Sequence, residues 1–481
     1  MALGLLAVLA GCARIDTPER EGMLVVATVR EPGAVHLEDG EPLDGFTADF
    51  LNAFAQKKLL PVRAVTVDGQ DHLRQLLQTQ RVHVGGFINP RPAPDGVIFT
   101  KPLSTIGLRL VQHADGHGPD ALADLSGRTV HVVTGSAAAE ALKALPAQQR
   151  PIVVELDGIT QQDLLAQVAA RTVALAATDE LNLAIAANYM PDVQPGPALF
   201  GKREIALALP DTGNTALRDE LDAFIAESTQ NGFLQRLYDR YYGHVQRIGP
   251  EFAGHFLNDI RSVLPKYRAD FQAAQVRTGL DWRLLAALAY QESKWDPLAT
   301  SYTSVRGMMM LTEETADALG VDNRLDPAQS IRGGADYLRQ LLDQLPDEIP
   351  MPDRLWFGLA AYNLGLGHLN GGRAIGLSLH KDTTSWYDMK SVLPLLVRPE
   401  YYQRLKSGKA RGGEAVILVE NVRNLYGVLT RLEPPYTVTL AKTGQKPPPA
   451  PGSARTAKAA LGSGLRPGGQ PPALRLDAPP K

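Results

Sequence analysis

At 481 residues the chain is longer than one ordinary core organises, so two or three domains are expected. A hydrophobic fraction of 44% and a charged fraction of 21% are those of a globular protein, and a net charge of -3 with no long basic run argues against nucleic acid as a partner. No apolar run is long enough for a membrane-spanning helix.

The first feature along the chain is its single cysteine, Cys12, which follows an apolar run ending Leu9-Ala10-Gly11. A Cys after a short apolar segment and small residues resembles the lipobox of bacterial lipoproteins, in which the leader is removed and the cysteine carries the lipid. That resemblance implies lipidation at Cys12 and tethering to a membrane surface. No Lys or Arg precedes Cys12, although a secretory signal has a positive n-region. Ala13, not Asp, follows the cysteine, which in Gram-negative lipoproteins implies the periplasmic face of the outer membrane. The lack of other cysteines fits an exported protein without disulfides. Residues 1–22 are read as signal and short linker.

From Met23 the pattern alternates between strand and helix. Met23–Val29 is a β-rich run, and Gly45–Phe54 reads as a helix with Phe46, Phe50 and Phe54 on one face. A helix at about 70–80 leads into the strand-like stretch Arg81–Ile88, and Gly127–Ser136 leads into a helix at Ala137–Leu145. Val173–Asp179 is a further strand ending in an acid. Such alternation predicts an α/β domain built on a parallel sheet, and its repetition predicts a two-lobed domain over 23–245 of the hinge-closing kind.

Several stretches here resemble the solute-binding proteins of amino-acid transporters: Gly45-Phe46-Thr47-Ala48-Asp49-Phe50, Phe99-Thr100-Lys101-Pro102-Leu103, Leu125-Ser126-Gly127-Arg128 through Gly135-Ser136, and Thr178-Asp179. The resemblance implies that the Gly135-Ser136 turn offers helix N-terminal amides to a ligand carboxylate and that Asp179 holds its amino group. An Arg normally clamps the carboxylate as well. The nearest candidate, Arg91, stands out of the usual register between Pro90 and Pro92. Arg91, Ser136 and Asp179 are thus the candidate site for a small ligand such as an amino acid, with a ligand-free scaffold as the alternative.

Over 246–440 the texture becomes helical, with helices expected at about 266–279, 282–293, 312–319, 328–345, 354–363 and 414–429. Ile331, Ala335, Leu338, Leu341, Leu342 and Leu345 recur at the spacing of a core face. In the 354–363 helix Trp356, Leu359, Ala360 and Asn363 share a stripe, and Gly365 and Gly367 are expected to end it. Asp281 is placed to cap the helix that begins at Trp282. Within that helix Leu285, Leu288 and Glu292 stand at i, i+3 and i+7, so a carboxylate extends an apolar stripe. Such a carboxylate is costly unless paired or protonated, and the plain alternative is a helix-end Glu paired with Lys or Arg.

Three motifs then occur in order: Gln291-Glu292-Ser293, Arg306-Gly307-Met308-Met309-Met310-Leu311-Thr312 and Ala360-Ala361-Tyr362-Asn363. Together they resemble the lytic transglycosylases of the soluble, lysozyme-like type. The resemblance implies a mainly α lysozyme-like domain whose partner is the peptidoglycan glycan strand and which uses neither cofactor nor metal. It assigns Glu292 as the single catalytic acid and base, and Ser293, Met308, Met309, Tyr362 and Asn363 as substrate-binding. Met308 and Met309 are open to a second reading as flexible core filler. Tyr401, Tyr402 and Glu414 fall in a further matching stretch without a defined role.

The implied reaction cleaves the bond between N-acetylmuramic acid and N-acetylglucosamine without water, leaving 1,6-anhydro ends. Ordinary glycosidases use a second carboxylate. None is found in the three motifs. A single Glu must begin protonated, which an apolar setting favours by raising its pKa. The competing class is a periplasmic amino-acid or peptide receptor whose helical domain is idle. From Lys442 the chain turns to Gly, Pro, Ala and Lys, so 441–481 is expected to be a disordered tail.

Overall fold

The computed structural model describes residues 14–29, 45–67, 69–88, 94–199, 201–245, 249–301 and 304–437. Cys12, Arg91 and the 441–481 tail lie outside them. The chain divides into two compact units, Met1–His255 and Phe256–Lys481.

The first unit carries strands β1 (Leu24–Val29), β2 (Val62–Val67), β3 (Val84–Ile88), β4 (Val97–Phe99), β5 (Ser104–Ile106), β6 (Leu108–His113), β7 (Thr129–Val133), β8 (Ile152–Leu156), β9 (Leu175–Asp179), β10 (Val193–Ala198) and β11 (Arg203–Pro210). One sheet runs β2-β1-β3-β11-β4, with β5 also paired to β11, and the other runs β10-β6-β9-β7-β8. The expected parallel pattern holds where βαβ units occur: β1 pairs in parallel with β2 and β3, and β7 with β8 and β9. It fails for β6, β10 and β11, which pair antiparallel, so both sheets are mixed. The cause is the path of the chain. It passes from one sheet to the other between β5 and β6 and returns between β10 and β11; β6 and β11, the first strands after each passage, run against the βαβ units, and β10 pairs antiparallel because its neighbour is β6.

The helix Phe46–Lys57 fills the first lobe as its phenylalanine spacing requires. Phe50 and Phe54 join Leu24, Val26, Val84 and Leu207 in the core, while Phe46 packs against Tyr238 and Tyr242. In the second lobe Leu110, Val130, Val132 and Leu142 form the equivalent core.

His83, 5% exposed, joins the first sheet to the N-terminal segment. Its Nδ1 accepts from the Val25 amide at 2.8 Å, which leaves Nε2 to donate to the Asp16 carbonyl at 2.9 Å. Burial lowers its pKa, against weaker opposing effects of that hydrogen bond and of nearby acids. A base with a depressed folded pKa contributes stability that is present above its unfolded value of about 6.5 and is lost as pH falls through the folded one. Between neutral pH and about pH 5 the wild type should therefore lose more thermal stability than a His83→Gln variant, measured by the unfolding midpoint of each.

Among its described residues the second unit is helical. Its main elements are Arg268–Thr278, Trp282–Ser293, Glu313–Ala318, Pro327–Asp343, Asp353–Leu364, Leu366–Ser378, Trp386–Val392 and Gly412–Leu432. Pro327–Asp343 starts where Asp326 Oδ1 accepts from the Gln329 amide, and buries Ile331, Ala335, Leu338, Leu341 and Leu342 as their spacing implied. Gly365 does end Asp353–Leu364, at φ +81°, but Gly367 lies inside the next helix instead of stopping the chain. That helix was illegible because it is rich in glycine. One reason is close packing: a Cβ on Gly372 would stand 2.7 Å from Leu393 Cδ2.

Candidate active site

The site is built on Trp282–Ser293. Asp281 caps it, accepting from the Arg283 amide at 2.8 Å, and also receives the Arg283 guanidinium and the Tyr426 hydroxyl. The helix is buried on every side from Trp282 to Tyr290, not only along the Leu285–Leu288 stripe, and packs beside Arg268–Thr278 and Gly412–Leu432. It is therefore the central helix of the unit, as its nearly continuous apolar run allows. Lys294 ends it at φ +57°, in the left-handed region, and Trp295 follows at φ +59°. The Trp295 indole turns back under the helix, where Nε1 donates to the Ala286 carbonyl at 2.8 Å and the ring meets Tyr290 edge-on at 4.6 Å.

Glu292 stands at the last turn of this helix, partly buried. No described group donates a hydrogen bond to its carboxyl, and burial pushes its pKa up to about 8 against the opposing charge of Lys294. Among the described residues no second carboxylate acts on it. The side chain is thus a neutral acid at neutral pH, one proton from being a base.

The other motifs meet beside it through two hydrogen bonds to consecutive carbonyls. Ser293 Oγ donates to Met308 O at 2.8 Å, with Ala289 O a second acceptor at 3.1 Å. Tyr362 OH donates to Met309 O at 2.7 Å. The loop they grip is tied at its base by the paired main chains of Arg306 and Leu311. Gly307 has φ +82° there, and an added Cβ would fall 1.8 Å from Arg324 O, so only glycine fits. The Met308 and Met309 side chains are fully buried, and Met309 fills the space left by Gly334. The segment therefore presents main chain to the site, with both methionine side chains in the core.

Tyr362 is 8% exposed, and burial, reinforced by the charge of Glu292, raises its pKa well above the ordinary value. It is a neutral donor. Asn363 beside it is partly exposed, and its amide makes no hydrogen bond with any described residue. Glu313 and Glu314 open the helix Glu313–Ala318 behind Thr312, as acids in a first turn do. Glu414 pairs with Arg411 at 3.3 Å, and Tyr401 and Tyr402 lie in the short helix Pro399–Tyr402.

Sequence reasoning missed Ser330. It is completely buried, and its Oγ accepts from the Met309 amide at 3.1 Å, fixing the loop from the Pro327–Asp343 side. The available signal was a small polar residue just before the Ile331 core face, with Gly333 and Gly334 following.

In the first unit, Ser136 and Asp179 both cap helices. Ser136 Oγ accepts from the Ala139 amide at 3.2 Å, and Asp179 accepts from the Asn182 amide and its side-chain Nδ2, each at 2.8 Å. Burial raises the pKa of Asp179 although these hydrogen bonds oppose it. The hydroxyl of Tyr238 feels that charge, which, after burial, raises its own pKa.

Residues 24–244 match the bacterial extracellular solute-binding proteins, family 3, and residues 270–383 match the transglycosylase SLT domain. The chain is similar to a protein of Methylobacillus flagellatus named membrane-bound lytic murein transglycosylase F, at 37% identity over 87% of this chain and 90% of the relative. It is equally similar, at 37% identity over 90% of this chain and 91% of the relative, to a protein of the same name from Ectopseudomonas mendocina. A solved structure, an ancestral arginine-binding protein bound to glutamine, covers 46% of this chain and 98% of its own at 24% identity and a TM-score of 0.40.

Proposed function

The chain belongs to the membrane-bound lytic murein transglycosylase F family, and we propose that Glu292 is the sole acid and base of its reaction. The protein is a peptidoglycan lytic transglycosylase, a lyase that cleaves the β-1,4 bond between N-acetylmuramic acid and N-acetylglucosamine and leaves 1,6-anhydro ends. One observation carries the assignment: Glu292 is a desolvated carboxyl whose pKa is pushed up to about 8 and on which no second carboxylate acts among the described residues.

Neutral Glu292 donates its proton to the bridging oxygen as the bond from the muramoyl C1 breaks. The substrate's own N-acetyl oxygen supports the electron-poor C1, replacing the nucleophile of a two-carboxylate glycosidase. The Glu292 carboxylate then takes the proton of the C6 hydroxyl while that oxygen closes on C1. The acid is regenerated and no water enters the product. Ser293 and Tyr362 act by fixing the Met308-Met309 main chain against the catalytic helix, and Asn363 offers its free amide to the sugar. Mass spectrometry of digested sacculi should show anhydro-muramoyl ends; reducing ends would make the enzyme a hydrolase.

The solute-binding-like unit is read as a sensor. Asp179 and Ser136 are the residues proposed to meet an amino acid or muropeptide, together with Arg91, the Asp179 carboxylate being of the charge that suits an ammonium. Binding of muropeptides by calorimetry, lost in Asp179→Ala, tests this. The reading as a receptor with an idle helical unit is not favoured, because the relatives are similar across both units and are named as transglycosylases. No described helix is long and apolar enough to cross a membrane. Attachment is instead proposed through lipid on Cys12, at the periplasmic face of the outer membrane.

A further inference from the structure

The end of the catalytic helix holds a group that the reaction scheme above does not use. Lys294 adopts φ +57°, where glycine or asparagine is the ordinary cap and a residue with a Cβ is strained. The conformation sends its side chain backward along the helix, and its Nζ rests 4.7 Å over the centre of the Tyr290 ring. That ring is itself fixed. Its hydroxyl donates to Asp259 Oδ2 at 2.8 Å, and Phe256 and Trp295 pack on it at 4.5 and 4.6 Å. A cation is thus held on an aromatic wall two residues from the catalytic carboxyl.

We propose that Lys294 is a positioning residue for the reaction, holding a positive charge beside Glu292 that stabilises the carboxylate formed between the two proton transfers. The inference rests on the reading of Glu292 as acid and base. During the first transfer Glu292 passes from neutral to anionic in a desolvated site, which is where a fixed cation contributes most. Lys294 answers that change without donating a proton itself. Burial draws its own pKa down to about 8, while the charges of Asp259 and Glu292 hold it up, so it remains largely cationic at neutral pH.

The described ionisable groups that act on this pair from other elements are Asp259, which faces Lys294, and Tyr362, which faces Glu292 and stays neutral. The surrounding helices direct their charges elsewhere: Arg277 to Asp336, Arg268 to Glu433 and Arg423 to Glu420. Lys294 is therefore the charge that opposes the burial of Glu292.

The test is turnover on purified sacculi across pH, using the full chain with Lys294→Met and Lys294→Arg, and with Glu292→Gln in parallel. Removing the charge should move the alkaline limb of the Lys294→Met profile upward by about one pH unit and lower neutral turnover roughly threefold to tenfold. Lys294→Arg should keep the wild-type limb. A uniform loss in Lys294→Met with the limb unmoved, or an arginine variant that behaves like the methionine one, overturns the inference and leaves Lys294 a structural cap. Should Lys294→Met melt below the assay temperature, Lys294→Gln reads the same shift. An active Glu292→Gln enzyme would overturn the underlying reading, and this inference with it.

Discussion

Glu292→Gln should abolish clearing of purified sacculi, with turnover down about a thousandfold or more, and should at the same time raise the stability of the protein. The first effect follows because the amide keeps the shape of the side chain but neither gives nor takes a proton in the required range. With no second carboxylate among the described residues acting on it, no group is in place to take over. The second effect is the thermodynamic counterpart of the same burial. Glu292 has its folded pKa raised to about 8. An acid whose folded pKa exceeds its unfolded value of about 4.3 contributes stability below the unfolded value, and this is lost as pH rises through the folded one. The glutamine variant escapes the loss. Its advantage should be absent near pH 4 and reach, after allowance for the partial exposure of the side chain, on the order of 2 kcal/mol at pH 8. Thermal midpoints of both proteins across that range decide it. An advantage independent of pH would mean that the carboxyl is solvated and that its proton affinity is ordinary.

The same residue shows how far the chain could be read before its structure. Glu292 was noticeable because a carboxylate extended a leucine stripe, and the capping role of Asp281 was legible for the same local reason. What the stripe could not convey was that the whole helix from Trp282 to Tyr290 is buried. Periodicity distinguishes an apolar face from a polar one, but a helix surrounded by others has no polar face to contrast. Met308 and Met309 illustrate a second limit. Their spacing allowed either groove or core, and only the position of Gly334 beneath Met309 places the side chain inside. Ser330 was invisible because its role is to satisfy one backbone amide of a loop far along the chain. In the first unit, helix and strand alternation was plain, whereas the reversed direction of β6 and β11 depends on the two passages between sheets, which no local pattern encodes.

Behind the active site, the largest loss of stability is expected from Glu420→Ala, at about 3–5 kcal/mol. Glu420 is completely buried in Gly412–Leu432, and its Oε1 accepts from Arg423 and from the Trp386 indole, each at 2.7 Å, with Lys390 at 3.5 Å from Oε2. Burial alone would raise its pKa, but the charges of Arg423 and Lys390 and the indole hydrogen bond reverse the direction. Arg423 is 2% exposed and lies over the Trp356 ring at 5.2 Å. Truncating the glutamate would remove the buried carboxylate that accepts from that guanidinium and from the indole, and losing this compensation is the main cost. A Glu420→Leu, Arg423→Met double variant removes both charges and should recover most of the loss, a coupling measurable by a double-mutant cycle in urea. The cluster also bears on the site. The Trp386 amide donates to Asp353 Oδ1 at 2.7 Å, and Asp353 and Trp356 begin the helix that carries Tyr362 and Asn363. Well below its melting point the alanine variant should therefore keep its Glu292 chemistry but bind the glycan less well, raising KM more than it lowers kcat. Unchanged stability would mean that Arg423 finds other partners, and the charges would then not be what anchors the Tyr362 helix.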